Sequence, residues 1–139
     1  MDDLKNYEAI AISKFLSLTN EGFQCGTASL IALAEAFEIP LCYEIKSQSK
    51  MFTCGGFVGD RCAVFQSLLV LIGLKLGRTS PDVNRGRYRD IAIMSARCFN
   101  EKFGGYRCCL FPECRNSLKD AVQFIKLATE ILEKNVCGK

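Results

Sequence analysis

The run from Ala63 to Leu74 contains no charged residue, and its apolar side chains fall on every side of a helix drawn through it. A helix that is apolar all round has to be covered on most of its faces, so this chain must fold in a way that places the segment inside. It includes Gln66 and Ser67, and it falls well short of the roughly 20 apolar residues that span a bilayer.

The rest of the chain supplies helices to do the covering. Leu4, Tyr7, Ala11, Phe15 and Leu18 recur at steps of three and four, the spacing of one helix face. Asp2 and Asp3 precede them, where a helix dipole favours negative charge. After Thr19-Asn20-Glu21-Gly22 a second helix is expected from about Cys25 to Phe37, stopping before Pro40. Its Ala28, Ala32 and Ala36 form a thin stripe that another backbone can approach. Pro40 to Ile45 reads as a short helical turn and Lys46 to Lys50 as a polar stretch, while Gly77 and Pro81 end the apolar helix.

A fifth helix is expected from Arg87 to Phe103, with Tyr88, Ile91, Ala92, Ser95, Cys98, Phe99 and Phe103 on one side and Gly104-Gly105 ending it. The last helix turns Leu118, Val122, Ile125, Ala128 and Leu132 inward and Lys119, Gln123, Lys126, Glu130 and Glu133 outward. No segment sustains the alternation of a strand. The expected fold is therefore all-α: a compact bundle of five or six helices around a central apolar helix (63–76), in a single domain over residues 1–139. A chain of this length removes about two thirds of its unfolded surface from water on folding, so it needs no disulfide staples.

Nine cysteines and no histidine restrict the chemistry. Imidazole acid–base catalysis, Cys-His proteolysis, and histidine-ligated zinc or haem are all excluded, and sulfur is the one soft ligand and strong nucleophile left. The start Met1-Asp2-Asp3 has no basic-then-apolar leader, so a cytoplasmic protein without membrane insertion is expected. In a reducing compartment abundant cysteine points to metal binding or redox chemistry, and an odd count argues against complete pairing. The net charge of +3 gives no strong field for nucleic acid, which is not an expected partner. The basic cluster Lys75, Arg78, Arg85, Arg87 and Arg89 reads as a solvated face around the loop 77–86.

Cys25 and Cys62 fall at predicted helix starts, and Cys114 lies just before the final helix, near the candidate caps Asn116 and Ser117. Free N–H groups there favour thiolate over thiol. That dipole contributes only about 0.3–1 kcal/mol, whereas structural zinc sites bind with roughly 10 kcal/mol or more; several neighbouring thiolates therefore call for a metal. Two glycine-rich turns, Cys54 to Cys62 and Gly104 to Cys108, either let backbone N–H groups approach sulfur, as they commonly do around iron–sulfur clusters, or serve only to turn the chain. Cys98 lies on an apolar face and reads as core. Cys42 and Cys137 have no informative context. Cys54 and Cys109 are candidates for a substitute ligand or resolving thiol.

Gly22-Phe23-Gln24-Cys25, the loop Gly55-Gly56-Phe57-Val58-Gly59, Cys62 with the helix ending Ile72-Gly73-Leu74-Lys75-Leu76-Gly77, Phe103-Gly104-Gly105-Tyr106-Arg107-Cys108, and Cys114 before Asp120-Ala121-Val122 together resemble the C_GCAxxG_C_C family of redox-active proteins. The resemblance runs from about Gly22 to Leu132. The family's C-G-A-x-x-G reads Cys62-Ala63-Val64-Phe65-Gln66-Ser67 here, without either glycine, and the segment between the third and fourth cysteines is shorter. The family is similar to the iron–sulfur part of split-Soret cytochromes, so the resemblance implies that Cys25, Cys62, Cys108 and Cys114 hold an iron–sulfur cluster with Gly55 and Gly56 beside it.

The expected function is that of a redox-active or electron-transfer protein, with an oxidoreductase or carrier role and a separate redox partner protein. Two alternatives stay open. One is thiol–disulfide chemistry with Cys62 attacking and Cys108 or Cys114 resolving. The other is a structural four-cysteine zinc interaction module. The sequence also leaves open a homo-oligomer.

Overall fold

A computed structural model describes residues 6–77, 86–107 and 118–136. Its elements are six α-helices: α1 Tyr7–Asn20, α2 Cys25–Ala36, α3 Tyr43–Gln48, α4 Ala63–Leu76, α5 Gly86–Phe103 and α6 Leu118–Asn135. A 3-10 turn, Ser49–Phe52, and a π-type turn, Gly55–Gly59, join α3 to α4. Among the described residues there is no strand, only a single antiparallel bridge between Arg61 and Arg107. The fold is a compact all-α one, as the periodicity predicts.

Local chemistry sets the helix ends. Asn6 caps α1 by accepting a hydrogen bond from the Ala9 N–H at 2.9 Å. At the end of α2 the Ile39 N–H reaches the Ala34 carbonyl at 2.8 Å and the Glu38 N–H reaches the Glu35 carbonyl at 3.2 Å. Such a pair of hydrogen bonds closes a helix through a left-handed residue, which here is Glu38 at φ 57 rather than a glycine. The closure uses up Glu38 and Ile39, and Cys42 is extended, so the short helix begins at Tyr43, later than the expected turn at Pro40 to Ile45.

The stripe residues of α1, Ala11, Phe15 and Leu18, are buried against α2 and α6. In α2 nine of the twelve residues are buried, because its small side chains admit α1 on one side and α4 on another. α4 buries Ala63, Val64, Phe65, Ser67, Leu68, Leu71 and Ile72, but Leu74 is 41% exposed. The helix that the apolar run places at the centre is thus less enclosed than α2. Hydropathy alone does not separate them: small residues conceal how closely their neighbours come.

Five aromatic rings tie α4, α5 and α6 together. Phe65 meets Phe99 edge-on at 5.1 Å and stacks on Tyr106 at 4.6 Å. Phe124 stacks on Phe103 at 4.4 Å and meets Phe99 at 5.3 Å. Phe99 is fully buried at the middle of this cluster. Along α6, Ile125, Ala128 and Leu132 are buried and Gln123, Glu130 and Glu133 exposed, as expected, with Lys126 half-buried. Asp2, Asp3, Leu4, Arg78, Pro81 and Arg85 lie outside the described residues. No helix among the described residues is long and apolar enough to cross a membrane.

Candidate redox site

Two of the four proposed sulfur residues sit where the helix-start argument puts them. Cys25 is the first residue of α2, following extended Gln24, and Cys62 is the N-cap of α4. Both are half-buried thiols. The two helices touch near these ends: the buried hydroxyls of Ser29 and Ser67 are 3.0 Å apart. Ser29 comes four residues after Cys25 and Ser67 five after Cys62, so at 1.5 Å per residue each cysteine is within roughly 6–8 Å along its helix of that contact.

A second contact adds the α3–α4 connection to the same neighbourhood. A Cβ placed on Gly26 would collide with the Ser49 carbonyl oxygen and come within 3.0 Å of Thr53 Oγ1 and 3.1 Å of the Thr53 nitrogen. Only glycine lets the first turn of α2 and this connection approach so closely. Ser49 is fully buried and hydrogen-bonded to Thr27 Oγ1 at 3.0 Å and to the Lys46 carbonyl. Thr53 is 3% exposed, and its hydroxyl has no hydrogen-bond partner among the described residues. A buried polar group without a partner is costly, and this one stands beside the start of α2.

Cys54 follows, buried and disulfide-bonded. From Cys54 the backbone makes an uncommon left-handed excursion, with φ 53 at Cys54, 64 at Gly55, 72 at Gly56 and 66 at Phe57. Each non-glycine residue there costs roughly 1–2 kcal/mol. Gly55 is required twice, by its φ and because a Cβ would run into the Asp60 backbone. These conformations explain both glycines by the turn itself.

The turn delivers the chain to Arg61 and Cys62. The Cys62 N–H donates to the Tyr106 carbonyl at 2.7 Å, so the segment after α5 is held against the N-cap of α4. Cys108, Cys109, Cys114 and Cys137 lie outside the described residues. Of the remaining cysteines, Cys42 is exposed and Cys98 half-buried, its thiol 3.5 Å from Met94 Sδ. Cys98 packs against the core, as its position on an apolar face predicts.

Among the described residues no three His, Cys, Asp or Glu side chains stand close enough to hold one metal ion. A four-cysteine site built on Cys25 and Cys62 must therefore draw its other sulfurs from outside them. What the described residues supply toward such a site is two thiol-bearing residues at helix N-termini, with a buried hydroxyl near the first turn of α2. Sequence reasoning missed Thr53 altogether. It also passed over Gly26, although a glycine in the first turn of an alanine-rich helix is itself a sign of close approach.

Comparison with protein-family models, with curated proteins and with solved structures gives no match for this chain.

Proposed function

We propose that this is a cysteine-based redox protein whose working sulfurs are Cys25, Cys62, Cys108 and Cys114, with an iron–sulfur cluster as the group they hold. The observation that carries this reading is the placement of Cys25 and Cys62 at the N-terminal ends of two helices in contact through Ser29 and Ser67. When bound, a cluster supplies reversible one-electron exchange. The chain's own contribution is to keep two sulfurs beside the positive ends of α2 and α4, to shelter them with the α3–α4 connection, and to offer the Thr53 hydroxyl as a hydrogen-bond donor.

The test is anaerobic purification followed by iron, acid-labile sulfide and visible absorbance. Iron and sulfide should be present together and be lost in Cys25→Ser, Cys62→Ser, Cys108→Ser and Cys114→Ser, but kept in Cys42→Ser. A colourless protein with one equivalent of zinc, or a Cys62→Ser variant with unchanged iron and sulfide, would refute the assignment.

The disulfide at Cys54 favours a second reading, dithiol–disulfide exchange. The Cys62 thiolate attacks one sulfur of a partner disulfide, that S–S bond breaks, and a mixed disulfide forms. Cys108 or Cys114 then attacks Cys62, so the partner leaves as a dithiol and this chain keeps the disulfide, two electrons having passed to the partner. Metal-free protein whose thiol count falls by two on oxidation, with Cys62 required, supports this reading against the cluster.

A further inference from the structure

Arg61 and Arg107 face each other directly across the antiparallel bridge. The Cys62 N–H bonds to the Tyr106 carbonyl at 2.7 Å, one residue after Arg61 and one before Arg107. That pattern makes the arginines a non-hydrogen-bonded pair, the kind whose side chains come closest, with Cα atoms about 4.5 Å apart. Both side chains leave the same face of the bridge, and both are exposed. Neither makes an ion pair among the described residues, and Asp60, next to Arg61, joins neither of them. Like charges set directly opposite each other are destabilising, and nothing described here compensates them.

The other face of the same short ladder carries Cys62 and Tyr106, both packed against the core. The segment leading into Arg61 exposes apolar side chains: Val58 at 73% and Phe57 at 50%, with Met51 at 61% on the turn before. The Met51 carbonyl lies 3.6 Å from where a Cβ on Gly56 would be, so the turn that carries Met51 adjoins the turn that carries Phe57 and Val58. Phe57 is exposed from a left-handed backbone, a strained way to present an apolar ring to water.

We infer that Arg61 and Arg107, with the exposed Phe57 and Val58 of the turn that leads into Arg61, form the docking surface for an acidic face of the redox partner protein. The inference rests on the redox reading above and adds the partner's chemistry to it. Paired open guanidiniums match paired carboxylates. The apolar neighbours suit a protein surface rather than a small anion, and transient electron-transfer contacts are small. Docking there puts the partner on the outer side of the bridge, one residue along the chain from Cys62, and the charge pair speeds encounter more than it tightens the complex.

The probe is a fluorescein-labelled peptide, Glu-Glu-Leu-Phe-Glu-Glu, titrated with the full chain by fluorescence anisotropy. Binding should weaken as salt rises and fall roughly tenfold or more in Arg61→Glu/Arg107→Glu, while Lys75→Glu binds as wild type does. The double variant should instead take up the corresponding lysine peptide. Should it lose its helical circular dichroism, Arg61→Gln and Arg107→Gln each carry the test with a smaller loss. Equal binding by wild type and variants overturns the inference, as does displacement of the peptide by inorganic phosphate at matched ionic strength. Iron, sulfide and thiol content of the same samples judge the redox reading separately: if those fail while peptide binding follows the arginines, the acidic docking surface stands and only the partner's redox role falls.

Discussion

Gly26→Ala is the substitution whose outcome the geometry constrains most tightly. Inside a helix, glycine to alanine ordinarily stabilises by up to about 1 kcal/mol. At this position the new methyl would arrive far inside van der Waals contact with the Ser49 carbonyl oxygen, and within 3.0 Å of Thr53 Oγ1. The oxygen cannot swing aside as a side chain would, because it is backbone and Ser49 is anchored to Thr27 and Lys46. The 3-10 turn must move off α2. Overpacking of this kind costs roughly 1–3 kcal/mol, and loss of the Ser49–Thr27 hydrogen bond adds about 1 kcal/mol. Set against the helix-propensity gain, net destabilisation should be about 2 kcal/mol, a fall in Tm of roughly 5–9 °C for a chain of this size. Gly73 is the internal control. It is helical and exposed, and nothing lies within 4 Å of its would-be Cβ, so Gly73→Ala should stabilise by about 0.4–1 kcal/mol. Urea unfolding of both variants, compared at equal m-value, decides the matter. If the two glycine variants shift the midpoint in the same direction, the close approach of α2 and the 49–53 turn is wrong.

Two further outcomes concern the same neighbourhood. The Ser29 hydroxyl donates to the Cys25 carbonyl at 2.6 Å, so Ser67 must be the donor across the α2–α4 contact. Ser29→Ala strands the buried Ser67 hydroxyl and should cost about 1–3 kcal/mol, whereas Ser29→Ala/Ser67→Ala should cost less than the sum of the single variants by at least about 0.5 kcal/mol; strictly additive urea midpoints would contradict the pairing. Thr53→Val keeps the shape and removes an unpartnered buried hydroxyl, so metal-free protein should gain about 1 kcal/mol in thermal unfolding, and a loss of stability would mean that the hydroxyl has a partner.

Much of the helical layout was open to reading from side-chain spacing, and the reason differs by element. α1 and α6 show a face: Ala11, Phe15 and Leu18 on one, Ile125, Ala128 and Leu132 on the other, all buried where the three- and four-residue steps put them. α5 likewise begins at Gly86, one residue from its predicted start. The short helix before the glycine-rich loop begins at Tyr43, later than its sequence suggests, because its start depends on how α2 ends. A left-handed Glu38 has no signature in sequence, since glycine is the usual residue there. The relative burial of α2 and α4 was likewise hidden. Alanine, glycine and serine add little to a hydropathy pattern, yet they are what lets α1, α4 and the 49–53 turn close on α2.

The candidate site divides along the same line between local and long-range information. Cysteine at a helix start is a local property, and Cys25 and Cys62 stand at helix starts that break residues such as Gly22 and the loop 55–59 mark. What stands beside those sulfurs is long-range. Thr53 is an ordinary residue in an ordinary stretch until the turn folds against Gly26, and its hydroxyl becomes significant only because nothing described there accepts or donates to it. Arg61 and Arg107 are far apart in sequence, and the overall charge of +3 gives no hint of them. Their juxtaposition goes with the hydrogen bond from the Cys62 N–H to the Tyr106 carbonyl. The same bond holds the segment after α5 against the N-cap of α4, so the feature that pairs two cations on the surface also fixes the backbone at the sulfur behind them. Breaking it should therefore disturb acidic-peptide binding and Cys62 reactivity together, whereas reversing the arginine charges should disturb only the first.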